Sequence, residues 1–288
     1  MNKFSKYIAA LVIFLSLTSI SIAAEKVVLL EQFTGHWCGW CPGGSLLMDD
    51  LINANPGKII GVKFHISSTN STDSMEIPEV GTLASTFQLS GVPTGMVDRL
   101  PFSIGQGYAY FLGTNNWAEA VNFALQQPAP VGLQLDWYYD ENSQTITATI
   151  TGNFEQTIAE EIRYNVFVLE DNIPAVGKGY AQTNYYNTDS SSPLYQKGNP
   201  IKDYNHMKVV RATLGGPFGQ LNSIPIPATS GSKVSYTFSV KKDPKWNLNN
   251  IKLVGLVQYA TQTKKQIINA VEGVKFAPKT TITSTSSN

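Results

Sequence analysis

The chain is poor in the side chains that make redox and metal chemistry: its 288 residues hold two cysteines and three histidines. Two cysteines close at most one bridge, so a scaffold stapled by several disulfides is excluded. Charge is also scarce. Lys, Arg, Asp and Glu make up 15% of the residues and balance to zero, against about 25% in an average soluble domain. Without a basic excess there is no electrostatic case for nucleic acid. Beyond residue 24 no apolar run reaches the ~20 residues that a membrane-spanning helix needs. Ser, Thr, Asn and Gln stand where charge is missing, a composition suited to strands in an exported protein.

The first residues read as an export signal. Lys3 and Lys6 precede an apolar stretch, Ile8 to Ile20, and Ser21-Ile22-Ala23-Ala24 offers a small-residue cleavage site. The stretch is short for a span and no stop-transfer pattern follows, so residues 1–24 are expected to be a signal peptide. No cysteine sits at the cleavage site, which disfavours a lipid anchor there. The mature chain would keep 264 residues and a net charge near −2. The expected location is the periplasm or the outer membrane and cell surface.

Two patterns follow. Residues 25–127 alternate strand and helix: an apolar run Val27–Phe33, a helical pattern Ser45–Ala54 stopped by Asn55-Pro56-Gly57, a run Lys58–Ile66, a helix Glu79–Gln88, a short strand Thr94–Val97 and a helix Trp117–Gln126. This alternation argues an α/β layer. Gln127-Pro128-Ala129-Pro130 reads as a linker. Residues 131–277 carry period-2 runs at 131–137, 145–150, 164–170, 234–240, 251–259 and 265–271, which argue an antiparallel β-sandwich. A polar, Tyr-rich loop spans about 172–200, where Tyr185, Tyr186 and Tyr195 would bind a partner or cover the sandwich. The tail, 278–288, is Ser/Thr-rich and expected to be disordered.

Both cysteines lie in one motif, Cys38-Gly39-Trp40-Cys41-Pro42, between the first strand and the first helix. A bridge across four residues removes little chain entropy, so stapling is a poor reason for the pair. A helix N-terminus presents free N–H groups and partial positive charge, which favour thiolate over thiol. Cys38 is then the nucleophile, and Cys41, about one turn on, can resolve a mixed disulfide. Some fifty residues later, Val92-Pro93 precedes a strand.

The order of strand, Trp-Cys-x-x-Cys, helix, strand, helix and Val-Pro before a strand resembles the thioredoxin superfamily. The words Leu30–Pro42 and Gly91–Arg99 are most similar to the bacterial family of outer-membrane protein twenty-eight, with softer similarity at Tyr204–Arg211 and Ile251–Ala270. That resemblance implies a thioredoxin-like N-terminal domain followed by an all-β antiparallel sandwich. It also implies a cis bond at Val92-Pro93, facing the cysteines, with the Val92 backbone free to pair with a substrate strand. The chain departs from thioredoxin at Gln32, where a buried aspartate would serve the second cysteine; Glu31 is adjacent but on the opposite face. Gly39-Trp40 between the cysteines is similar to secreted disulfide isomerases.

Around the pair, Trp40 is expected to offer substrate an apolar surface, and Trp37 to pack under the loop. His36 is either an imidazolium that lowers the Cys38 pKa or a surface histidine. A rival reading has both cysteines and His65 hold copper or zinc, but the short spacing suits redox chemistry better, and no metal or cofactor is expected. The leading function is exported thiol–disulfide exchange with protein thiols or disulfides and a redox partner protein. The alternative is a surface or outer-membrane-associated binding protein that uses the same scaffold without redox turnover.

Overall fold

The computed structural model describes residues 24–105 and 107–277; the expected signal peptide, apart from Ala24, and the expected disordered tail lie outside them. The protein is a mixed α/β structure made mostly of sheet, with no barrel among the described residues. The first half contains β1 (Val28–Thr34), α1 (Cys41–Ala54), β2 (Ile59–His65), α2 (Glu79–Thr86) and β3 (Thr94–Val97). A small hairpin of β4 (Phe102–Ile104) and β5 (Gly107–Ala109) and the helix α3 (Trp117–Leu125) complete it. The sequence pattern places the start of α1 at Ser45; it begins at Cys41, because Pro42 in the first turn has no N–H to leave unpaired.

The second half opens with β6 (Val131–Asp140), β7 (Thr145–Phe154), β8 (Ile162–Glu170) and the two-residue β9 (Ile173–Pro174). It continues with β10 (Asn205–His206), β11 (Val209–Thr213), β12 (Lys233–Lys241), β13 (Ile251–Tyr259), β14 (Ile267–Glu272) and β15 (Val274–Lys275). β7 shows why the period-2 pattern reads clearly: Ile146, Ala148, Ile150 and Phe154 are buried, while the intervening threonines face outward.

The two halves share one sheet. Its order is β14-β13-β8-β11-β2-β1-β3, and the junction is the parallel pairing of β11 with β2 at Val209 and Lys63, helped by the Lys63 N–H donating to Lys208 O at 2.8 Å. A sheet therefore crosses the position of the expected linker. A second sheet, β12-β7-β6-β15, covers the β8/β13 end, and Leu135, Ile150, Val166, Val168, Leu253 and Val257 fill the space between. At the other end the same face is covered by α1 and α3, around Val28, Leu30, Met48 and Trp117. The reverse face holds a core common to both halves, in which Leu29, Phe33 and Phe64 meet Phe167, Leu256 and, from α2, Val80 and Leu83. Each fully buried side chain of this size contributes about 1.5–3 kcal/mol of transfer free energy.

Because β1 is covered on both faces, its polar residues need partners. Glu31, on the face of Leu29 and Phe33, takes a two-pronged ion pair from Arg99 (2.9 and 2.7 Å), whose remaining nitrogen donates to Pro217 O and Gln258 Oε1 at 2.9 and 3.0 Å. Nearby, Lys26 pairs with Asp98 at 2.7 Å and donates to Ile268 O at 2.7 Å. These groups fasten the first half to the second through charge that water does not reach.

Candidate active site

β1 delivers the chain to a tight loop, Gly35–Trp40, and α1 begins at Cys41. Within the loop the Cys38 N–H donates to Gly35 O at 3.0 Å and the Cys41 N–H to Cys38 O at 3.3 Å. This turn brings the two Cα atoms to 5.4 Å, and Cys38 and Cys41 are joined as a disulfide. Both are buried, Cys38 at 5% exposure and Cys41 at 1%. The Cys38 sulfur lies 3.7 Å from Val92 O, and the Val92–Pro93 bond is cis. Among the described residues no backbone partner reaches the Val92 N–H. α1 approaches this bend closely at Gly44, where a Cβ would stand 3.2 Å from Pro93 Cβ, a tight contact.

Gln32 is fully buried under Cys41, donating to its carbonyl at 3.3 Å and accepting from Ser45 Oγ at 3.4 Å. It holds the second cysteine by hydrogen bonding but cannot take its proton. Lys63, in register with Gln32 on β2, shares its face. Burial lowers the Lys63 pKa to about 8, with Asp49 pulling the other way and Lys208 adding to the fall.

The supporting residues fall into place differently from one another. Trp37 does pack at the loop, its indole N–H donating to Ile66 O at 2.8 Å. Trp40 is the exposed one, at 52%. His36 has both ring nitrogens on the surrounding loops, Nδ1 at 3.1 Å from Ala181 O and Nε2 at 3.1 Å from Ser71 Oγ. It ties segments together. His65 does not reach toward the cysteines as a third ligand; its Nδ1 is 2.8 Å from Asp73. Burial would raise the Asp73 carboxyl, but the hydrogen bond and charge of His65 and the N–H groups of His36 and Met75 hold it below its usual value. His206 stacks edge-on to His65 and donates Nε2–H to Tyr180 O at 2.7 Å; burial, with His65 next, lowers its pKa to about 3. Among the described residues no three His, Cys, Asp or Glu side chains cluster as metal ligands.

The largest difference from the sequence reading is the Tyr-rich loop. Residues 175–204 are closed at their base by β9 pairing with β10, and they do not cover the sandwich. They lie along the cysteine loop. The Thr183 N–H donates to His36 O at 2.8 Å, the Tyr185 N–H to Gly39 O at 3.0 Å, and Gln182 Nε2 to Cys38 O at 3.0 Å. Trp40 sits edge-on to both Tyr185 and Tyr186, at 5.4 and 5.1 Å between ring centroids. Gly39 is required here, since a Cβ would overlap the Tyr185 ring. Gln182 was invisible to sequence reasoning because it lies 144 residues from its partner, with no local pattern to mark it.

With this geometry in hand, the comparisons place the chain. The family model for outer membrane protein Omp28 matches residues 81–280, more than half of the chain. The chain belongs to the Omp28 family. The match begins after the cysteine motif, so family membership by itself says nothing of the dithiol. Among solved structures, HBP35 of Porphyromonas gingivalis shares the fold: the TM-score is 0.64 at 21% identity, over 87% of this chain and 75% of that one. A domain of the outer membrane lipoprotein Omp28 from Porphyromonas gingivalis also matches, with TM-score 0.29 and 14% identity over 52% of this chain and 90% of that one. No curated protein matches the sequence. No helix among the described residues of this Omp28-family chain is long and apolar enough to cross a membrane.

Proposed function

We propose that this protein exchanges disulfides with other proteins in the cell envelope. The observation that carries the reading is the contact of the Cys38 sulfur with Val92 O at 3.7 Å, at the N-terminus of α1. Residues 25–127 act as a thioredoxin-like half that performs the exchange, and 131–277 as a sandwich half that positions partners. Starting from the disulfide, a substrate thiolate attacks the Cys38 sulfur, forms a mixed disulfide and expels Cys41 as thiolate; a second substrate thiolate then displaces Cys38. The substrate leaves oxidised and the Cys38/Cys41 pair reduced. In the opposite direction Cys38 attacks and Cys41 resolves. Val92 and Pro93 hold the substrate segment by strand-like pairing, and Trp40 gives it an apolar contact. The chain reaches the periplasm or the outer-membrane surface after cleavage of residues 1–24, and a separate redox protein resets the pair.

The test is Cys41→Ser, which leaves Cys38 without a resolving partner. Mixed disulfides through Cys38 should accumulate in cells and vanish in Cys38→Ser/Cys41→Ser. Failure to trap any adduct, with no turnover of disulfide substrates, defeats the proposal.

One observation favours the alternative, a binding protein on an inert scaffold: Gln32 stands where a titrating carboxylate would serve Cys41. Thiol reactivity against pH separates the two. A Cys38 pKa near ~8.5, the unperturbed value, supports the inert scaffold, and a strongly lowered one supports exchange.

A further inference from the structure

The 181–186 segment is fixed. Gln182 and Asn184 are 2% and 1% exposed, and their side-chain amides are engaged: Gln182 donates to Cys38 O and Thr183 O at 3.0 Å, and Asn184 to Leu194 O and Gly198 O at 3.0 Å while accepting from the Tyr186 N–H at 2.9 Å. Moving this segment would strand buried amides, which opposes its opening as a free lid. Its two tyrosines flank Trp40 edge-on, and Tyr186 Oη donates to Trp40 O at 3.4 Å. Tyr185 covers Gly39, between the two cysteines, and still presents 52% of its surface to solvent.

We infer that Tyr185 and Tyr186, with Trp40, form a rigid aromatic rim that makes the dithiol selective for extended polypeptide over the surfaces of folded proteins. The inference rests on the proposed exchange and names its substrate class. Exchange requires an incoming sulfur to meet the Cys38 sulfur directly. An extended strand paired with the free Val92 N–H is narrow enough to bring a cysteine to that sulfur past the rings. A convex folded surface meets the rings first and holds its sulfur out of bonding range. The segment comes from the second half of the chain, so the filter is absent from the α/β half taken alone.

The experiment uses the full mature chain in its disulfide form. Three reductants are compared: dithiothreitol, an unstructured peptide with one cysteine, and a folded protein with the same peptide sequence displayed as a rigid surface element. The wild type should react with the peptide about tenfold faster than with the folded protein. Tyr185→Ala and Tyr186→Ala should bring that ratio toward one while leaving the dithiothreitol rate within about twofold, and Tyr185→Phe, which keeps the ring, should preserve the wild-type ratio. An unchanged ratio in both alanine variants overturns the rim, as does a rise for all three reductants by the same factor. A wild type reduced by dithiothreitol but by neither polypeptide overturns the exchange reading itself, and the rim with it.

Discussion

One face of the seven-stranded sheet is covered in two ways, and the covers select different chemistry. At the β8/β13 end a second sheet lies over it, and Val166, Val168, Leu253 and Val257 join an apolar core with Trp137, Tyr164 and Phe238. At the β1/β2 end α1 lies over it, and the strands there place Gln32, Lys63 and His65 on that face, all buried. Both ends exclude water. The first keeps few buried polar groups, Glu170 paired with Arg211 at 3.4 Å and Asn269 donating to Val131 O at 3.0 Å; the second sets three in neighbouring register positions, where each needs a partner to offset its desolvation. On the outer sheet, β12-β7-β6-β15, the polar residues face solvent, as in the Thr149–Thr237 pair.

The largest expected effect is on the reverse face, at the Glu31–Arg99 ion pair of the first half, whose guanidinium also donates to Pro217 O and Gln258 of the second. Arg99→Met leaves Glu31 buried without a partner, and unfolding in denaturant should show a loss of about 3–5 kcal/mol. The double variant Glu31→Leu/Arg99→Met should recover most of it. A single variant as stable as wild type would mean that water reaches Glu31 after all.

The next effect is one of pH. His206, facing His65, Asp73 and Lys63, is held neutral with a pKa of about 3. The unfolded chain binds a proton at about pH 6.5 and the native chain does not. Stability from this group is therefore intact above pH 6.5 and falls as pH drops toward 3. The slope is about 1.4 kcal/mol per pH unit. Between pH 6.5 and 5 the wild type should lose about 2 kcal/mol more than His206→Asn, read from urea midpoints. Equal losses would show that His206 charges without cost.

The smallest effect belongs to the solvated face. Thr149→Val removes an exposed hydroxyl pair with Thr237 at 2.9 Å, and its stability should stay within about 0.5 kcal/mol of wild type. A larger change would mean that the hydroxyl ladder beyond Thr149 acts as a unit.

Much of the fold could be read from local pattern. The strands β3 and β13 have the bounds their sequence runs suggest, and β7 and β12 extend theirs by a few residues, because period-2 burial is a property of consecutive residues. The opposed faces of Glu31 and Gln32 follow from the same rule. The junction of β11 with β2 could not be read, because it depends on one register pair between segments more than a hundred residues apart. His36 and His65 were legible as chemically capable side chains, but not their partners, Ala181 O and Asp73.

The sequence by itself determined the cysteine pair at a helix start, the bend at Val92-Pro93 and the alternation from helix–strand to strand–strand, since each is written in neighbouring residues. Only the tertiary structure decided that one sheet runs through both halves, and that Gln182, Tyr185 and Tyr186 lie against the cysteine loop at Cys38, Gly39 and Trp40. Those contacts are made by the returning chain, and a hydrogen bond between residues 144 apart leaves no periodicity for the sequence to display.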